Sequence, residues 1–181
     1  MYAGSLVTLR PFEREDSETY RRWVNDPEVG ALIDRGDPVG EEEHARWYDA
    51  LVSSDRNAVF AIDDKDGSFV GLVWLFDIHT RHRRAEVRIV IGERKAWGGG
   101  RGTEALRLIA EAAFGPLSLE KLWADVLATN PRAVATFERA GFVREGVLRG
   151  DRVSKGQRVD VVRLGLLRAD RIRNVPVKAA P

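Results

Sequence analysis

The sequence predicts an α+β fold built on a mixed, mostly antiparallel central sheet of about seven strands, with helices packed against it. Three observations carry this expectation. Short β-branched or apolar runs recur at 6–9, 58–62, 69–78, 87–91, 121–127, 142–148 and 159–167, and hairpin signals join two pairs of them. Segments with apolar residues at helical spacing stand between them, at 14–24, 41–52, 103–114 and 131–140. The middle of the chain, Ala85 to Phe114, reads AEVRIVIGERKAWGGGRGTEALRLIAEAAF, which is a strand, a glycine loop and a helix end to end.

Leu6 to Leu9 is a first strand, closed by Pro11. Arg14 to Val24 is a helix with Tyr20, Trp23 and Val24 on one side, ended by the turn signal Asn25-Asp26-Pro27. Gly30 to Gly40 reads as a loop. Glu41 to Val52 is a second helix whose first turn carries Glu41, Glu42 and Glu43. Acids there suit the helix dipole, and they would also attract a cationic acceptor. Ala58 to Ile62 and Phe69 to Ile78 form a hairpin around Asp63-Asp64-Lys65-Asp66-Gly67. The charged loop His79 to Arg84 leads to the next strand. His79 and His82 have no third ligand beside them, so the loop reads as solvated and no metal site is expected.

Val87 to Ile91 is a buried strand. Gly98, Gly99, Gly100 and Gly102 then interrupt any regular element, and from Thr103 the positions Leu106, Ile109, Ala110 and Ala113 mark a helix. A helix start offers unpaired N–H groups and partial positive charge, and glycines let a ligand approach the backbone. Together they suit a phosphate group, although a flexible turn would look the same. A P-loop would need Gly-Lys-Ser/Thr, which is missing. Gly100 to Ala105 fits the dinucleotide pattern G-x-G-x-x-A, yet Glu93 to Trp97 separate it from its strand. The next strand also runs into Ala128-Thr129-Asn130 without an acid. After Gly115-Pro116, Lys121 to Leu127 is a strand. Asn130 caps a helix with Pro131 in its first turn and Gly141 after its end. Phe142 to Leu148 and Val159 to Leu167 close the sheet as a hairpin pair.

The 181 residues suit one domain, set at 1–170, with 171–181 as a flexible C-terminal tail. A net charge of +1 argues against a nucleic-acid surface. The absence of cysteine excludes disulfides, thiolate chemistry and zinc–thiolate sites. No signal peptide opens the chain, and no run approaches the roughly 20 apolar residues of a membrane helix. A cytoplasmic protein with no membrane or nucleic-acid partner is expected.

Several motifs then agree with one family. Trp97-Gly98-Gly99-Gly100-Arg101-Gly102 resembles the acyl-coenzyme-A signature Q/R-x-x-G-x-G/A of the GNAT N-acetyltransferase superfamily, with Trp97 in the place of Gln or Arg. Trp97 through Ala105 is similar to the Trp-Gly-x-Gly run of its ribosomal-protein-alanine (Rim-like) branch. Leu9-Arg10-Pro11 followed by Trp23 to Val29 resembles the opening of that branch. Asn130-x-x-Ala133-x-x-x-Phe137-x-x-x-Gly141-Phe142 is similar to a later motif, in which a tyrosine usually stands at Phe137. Glu145-Gly146-x-x-Arg149 and Gly156 to Asp160 continue the likeness over nearly the whole chain.

The resemblance implies the three-layer GNAT fold, with helices on both sheet faces and a splay between the Glu86 strand and the Lys121 strand. It also implies acetyl transfer from acetyl-CoA to a primary amine in a ternary complex. The acceptor would be a small molecule such as an amino sugar, aminoglycoside, polyamine or amino acid; a protein N-terminus is the alternative. An acyl-CoA-binding module without transfer is a further alternative, motivated by Phe137. A homodimer is a family-level expectation.

By the same resemblance, Glu86 is the catalytic base, acting through water, unless it only pairs with Arg84 or Arg88. A backbone N–H near Val90 or Ile91 would stabilise the oxyanion. Trp97, Gly98, Gly99, Gly100, Arg101, Gly102 and Thr103 would hold the diphosphate, with Arg101 adding charge at the rim. Asn130 and Phe137 would flank the pantetheine, and Trp23, Asn25 and Trp47 would line the acceptor pocket. Because Phe137 lacks a hydroxyl, water or another group, such as Tyr48 or Ser154, would protonate the leaving thiolate, or no proton would be needed.

Overall fold

The structure is a computed structural model and describes residues 1–33, 37–154 and 156–173. Its frame is one eight-stranded sheet in the order β1-β2-β3-β4-β5-β6-β8-β7. These strands are β1 (Tyr2–Ala3), β2 (Val7–Pro11), β3 (Ala58–Asp64), β4 (Phe69–His79), β5 (Arg84–Ile91), β6 (Lys121–Leu127), β7 (Val143–Ser154) and β8 (Gln157–Leu167). The extra strand beyond the expected seven is β1, two residues long and paired through Tyr2↔Leu9 and Ala3↔Thr8. Among the described residues, β5 and β6 run parallel and every other neighbouring pair is antiparallel.

Helices α1 (Arg14–Val24), α2 (Pro27–Leu32) and α3 (Glu41–Ser53) precede β3. Helix α4 (Arg101–Phe114) joins β5 to β6, α5 (Pro131–Arg139) joins β6 to β7, and α6 (Arg168–Arg173) follows β8. Helix α2 corrects the expected loop at 30–40. Asp26, read only as a turn, accepts from the N–H groups of Glu28 and Val29 and so caps a new helix with Pro27 at its first position. Residues 34–36 of that loop lie outside the described residues. Helix α6 begins just before position 170, where Asp170 accepts from the Leu167 N–H at the helix start. The remainder of the expected tail, 174–181, lies outside the described residues.

Period-2 alternation assigns the two sheet faces. Leu9, Ile62, Val73, Leu75, Val87, Leu122 and Leu164 pack with Leu106 and Ile109 of α4 and with Phe137 of α5. Leu72, Trp74 and Val90, from the opposite face, pack with Tyr20, Val24 and Tyr48 of α1 and α3. Helices therefore cover both faces, which makes three layers.

Candidate active site

The strand ladder between β5 and β6 holds for three pairs, Arg84↔Lys121, Ala85↔Leu122 and Glu86↔Trp123, and then stops. Both strands continue, β5 to Ile91 and β6 to Leu127, so the sheet opens like a fork. The opening is a crevice of about 830 Å³ that runs from Tyr20 and Trp47 on one face to Gly98 and Thr103 on the other. Glu86 lies at the root of the fork.

The Glu86 side chain is 13% exposed, and both its oxygens receive Arg88, from Nε at 2.7 Å and Nη2 at 3.1 Å. The Arg88 guanidinium in turn lies 4.0 Å from the centre of the Phe76 ring. Glu86 thus faces the crevice while held in an arginine fork. The backbone of β5 from Val87 to Ile91, which has no ladder with β6, borders the same space.

Past β5, Trp97 donates its indole N–H to the carbonyl of Ile91 at 2.7 Å. This bond fixes where the glycine loop leaves the strand. Gly98, Gly99 and Gly100 then take φ of +83°, +52° and +86°, a left-handed run that side chains with a Cβ rarely adopt. Gly100 is the N-cap of α4 and has no capping side chain, which leaves the first N–H groups of the helix open to an anion. Gly98, Gly99, Gly100, Gly102 and Thr103 all line the crevice.

The side chain of Arg101 does not line it. Its Nη2 and Nε reach Asp64 Oδ2 at 2.8 and 3.0 Å, at the end of β3. The hydrogen bond raises the Arg101 pKa and lowers that of Asp64. This corrects the expectation of Arg101 as a charge at the cofactor rim: its side chain braces the loop from behind.

Glu104, one turn into α4, is a second brace that sequence reading did not single out. Its carboxylate accepts the Ser5 N–H and hydroxyl at 2.9 and 2.6 Å, the Leu6 N–H at 2.5 Å and the Val7 N–H at 2.8 Å. Burial alone would raise its pKa, but these donors outweigh burial and hold it below the ordinary carboxyl range.

On the far wall, Asn130 accepts from the Ala133 N–H at 3.0 Å and donates to the Leu32 carbonyl at 3.3 Å. It therefore caps α5, ties α5 to α2 and lines the crevice at once. Phe137 is 3% exposed and meets Phe142 edge-on at 5.1 Å between ring centres. Tyr20, Thr103 and Thr136 are hydroxyl side chains bordering the crevice, whereas Tyr48 and Ser154 do not border it.

The wall near α1 and α3 is aromatic. Trp47 stacks on Tyr20 at 5.0 Å and 10° and on His44 at 5.1 Å, and Trp74 stands edge-on to Tyr20. Trp23 and Asn25 are not part of this wall, which corrects their expected place in the acceptor pocket. The Trp23 ring lies over Gly92, where a Cβ would come within 2.0 Å of it, and packs on Phe69 at 4.7 Å. Asn25 instead bonds both backbone groups of Val39, at 2.7 and 3.0 Å. Gly92→Ala is accordingly expected to cost about 1–3 kcal/mol by overpacking. Urea unfolding should show a lower midpoint at unchanged slope; an unchanged midpoint would mean that Trp23 swings aside freely.

Asp125 is a crevice carboxylate that sequence reading passed over. Leu122, Ala124 and Val126 are core residues, so strict alternation in β6 was the available signal that Asp125 points the other way. Arg163 clasps it through two bonds of 2.7 and 2.6 Å while lying 4.4 Å from the centre of the Trp123 ring. His79 and His82 stack at 4.3 Å on an exposed turn. Among the described residues, no group of three or more candidate ligands could hold a metal ion, and no helix is long and apolar enough to cross a membrane.

A family profile described as an acetyltransferase (GNAT) domain matches residues 7–143. The chain is 30% identical over 167 residues to the spermidine N(1)-acetyltransferase of Escherichia coli K12, covering 87% of this chain and 83% of that one. It is 28% identical over 158 residues to the Vibrio cholerae spermidine N(1)-acetyltransferase, covering 87% and 91%. A crystal structure of the V. cholerae enzyme in complex with CoA and spermine superimposes with a TM-score of 0.85 at 28% identity, over 93% of this chain and 99% of that one.

Proposed function

The chain belongs to the GNAT acetyltransferase family and is an acetyl-CoA-dependent N-acetyltransferase, and from that premise we propose that its acceptor is a small aliphatic polyamine. The observation that carries this reading is the acceptor side of the fork, where the carboxylates of Glu86 and Asp125 face the same crevice as the stacked rings of Tyr20 and Trp47. Carboxylates attract an ammonium group, and aromatic faces hold both cations and methylene chains. Each carboxylate already holds an arginine, so an entering ammonium exchanges with a guanidinium instead of meeting bare negative charge. The spermidine-acetylating relatives, and the solved structure with spermine, support the same acceptor.

In the proposed mechanism Glu86, through a water, takes the proton that the ammonium must lose. The free amine then attacks the thioester carbonyl directly. An N–H near Val90 or Ile91 steadies the oxyanion, the carbon–sulfur bond breaks and the thiolate takes up a proton. Because Phe137 cannot give that proton, water or one of the bordering hydroxyls supplies it. The open N–H groups at Gly98–Thr103 receive the diphosphate, while Asn130 and Phe137 flank the pantetheine and Trp47 borders the acceptor.

Purified protein with acetyl-CoA is expected to release thiol with spermidine or spermine well above the release with an amino sugar or an N-terminal alanine peptide. Release with the peptide alone would favour the other reading, a Rim-like protein N-terminal acetyltransferase, which the Trp97–Ala105 run supports. We further propose a single acyltransferase domain over 1–170, a cytoplasmic location where acetyl-CoA is made and used, and self-association. For the last, the dodecameric V. cholerae relative gives a precedent, and β7 leaves Val143 and Val147 exposed along the edge of the sheet.

A further inference from the structure

The diphosphate and 3′-phosphate of coenzyme A bring several negative charges, yet the glycine loop meets them with N–H dipoles alone, because its one arginine, Arg101, is spent on Asp64. The compensating cations must come from another element. Among the described residues, four arginines border the crevice: Arg88, Arg132, Arg139 and Arg152. Arg88 is held by Glu86 at the root of the fork, and Arg152 pairs with Asp151 at 3.2 Å. Arg132 and Arg139 have no carboxylate partner among the described residues. Both lie on α5, seven positions apart, with Thr136 between them, so all three share one helix face.

That face is turned to the glycine loop. A Cβ on Gly102 would lie 3.3 Å from Thr136 Cγ2, so α5 and the start of α4 touch there. Arg132 lies 5.0 Å from the centre of the Trp97 ring, across from where the loop leaves β5. Arg139 donates to the Thr136 hydroxyl at 3.2 Å. It stands where the crevice meets a second cavity of about 760 Å³ that Arg107 also lines, and Arg107 donates to the Arg139 carbonyl at 2.7 Å. Arg107 of α4 and Arg139 of α5 therefore meet where the two cavities adjoin, the Arg107 guanidinium on the Arg139 carbonyl.

We propose that Arg139, seconded by Arg107, binds the 3′-phosphate of coenzyme A, and that Arg132 supplies the cation beside the diphosphate, so that α5 selects coenzyme A over its 3′-dephospho form. This rests on acetyl-CoA as the cosubstrate. All three side chains are exposed, Arg132 and Arg139 at the crevice rim and Arg107 in the adjoining cavity, and their replacement leaves the core untouched.

The test compares CoA with 3′-dephospho-CoA by calorimetry, and acetyl-CoA with its dephospho form by KM, in the natural protein and in Arg139→Gln and Arg139→Lys. A charged hydrogen bond to a phosphate gives an expected preference for the 3′-phosphorylated ligand of about tenfold. Arg139→Gln should remove that preference by raising KM and Kd for the phosphorylated ligand alone, and Arg139→Lys should restore part of it. Equal binding of the two ligands by the natural protein, or an equal loss for both in Arg139→Gln, overturns the proposal while leaving the acetyl-CoA reading intact. Binding of neither ligand overturns both.

Discussion

Glu86→Gln is expected to lower kcat/KM for acetyl transfer at neutral pH by about 10²-fold or more, the usual range for removing a general base. The amide keeps the size of the carboxyl and its place at the fork, but it cannot take a proton. Near neutrality a primary amine with a pKa of about 10 is almost wholly ammonium, so proton removal limits the reaction. At high pH free amine is plentiful, and the gap between the two proteins should narrow. A rate against pH from about 6 to 10 reads this directly. Parallel profiles separated by a constant factor would remove Glu86 from the base role and leave it as an acceptor contact. Arg88 is the main confounder, since Glu86→Gln frees its guanidinium. The companion Arg88→Gln therefore belongs in the same series: it should leave a pH-dependent rate, because the carboxylate remains.

The second large effect falls on stability. Glu104→Ala is expected to destabilise the fold by about 3 kcal/mol, because three backbone N–H groups and a hydroxyl lose one charged acceptor together. Urea unfolding followed by circular dichroism measures it. The sign of the pH dependence follows from the lowered pKa of Glu104. A group whose pKa is depressed on folding contributes in full above its unfolded pKa and loses that contribution as pH falls through the folded value. The natural protein should therefore lose stability on acidification from about pH 4.3 downward, and the variant should lose less over the same window. Identical acid profiles would show that the Ser5–Val7 turn finds other partners. Since Glu104 lies one turn from the glycine loop, its loss should also raise KM for acetyl-CoA.

Much of the fold was legible because its signals are local. Helix α1 spans Arg14–Val24 and β6 spans Lys121–Leu127, the bounds read from periodicity. Asn130 and Pro131 start α5 as cap and first residue. The two-residue β1 was not legible, because so short a strand carries no periodicity. Helix α2 was missed because Asp26-Pro27 starts a turn and a helix with equal ease, and only its packed Val29 decides between them. Residues around the crevice were legible unevenly. The glycine loop stands out by composition, but the directions of Trp23, Asn25 and Arg101 do not, since each could face either way on its own element.

By itself the sequence determined the order of the seven longer strands and the four longer helices, the strand–glycine loop–helix unit, and the alternation that puts one face of each strand inward. All of these follow from contacts within a few residues, where spacing and cap chemistry suffice. Only the tertiary structure decided where β5 and β6 part, which carboxylates face the gap, and which arginines are already occupied. Glu104 meets Ser5 across 99 positions of chain, and Arg101 meets Asp64 across 37. The partner of a charged side chain so placed is chosen by packing of the whole sheet, and no local pattern encodes it.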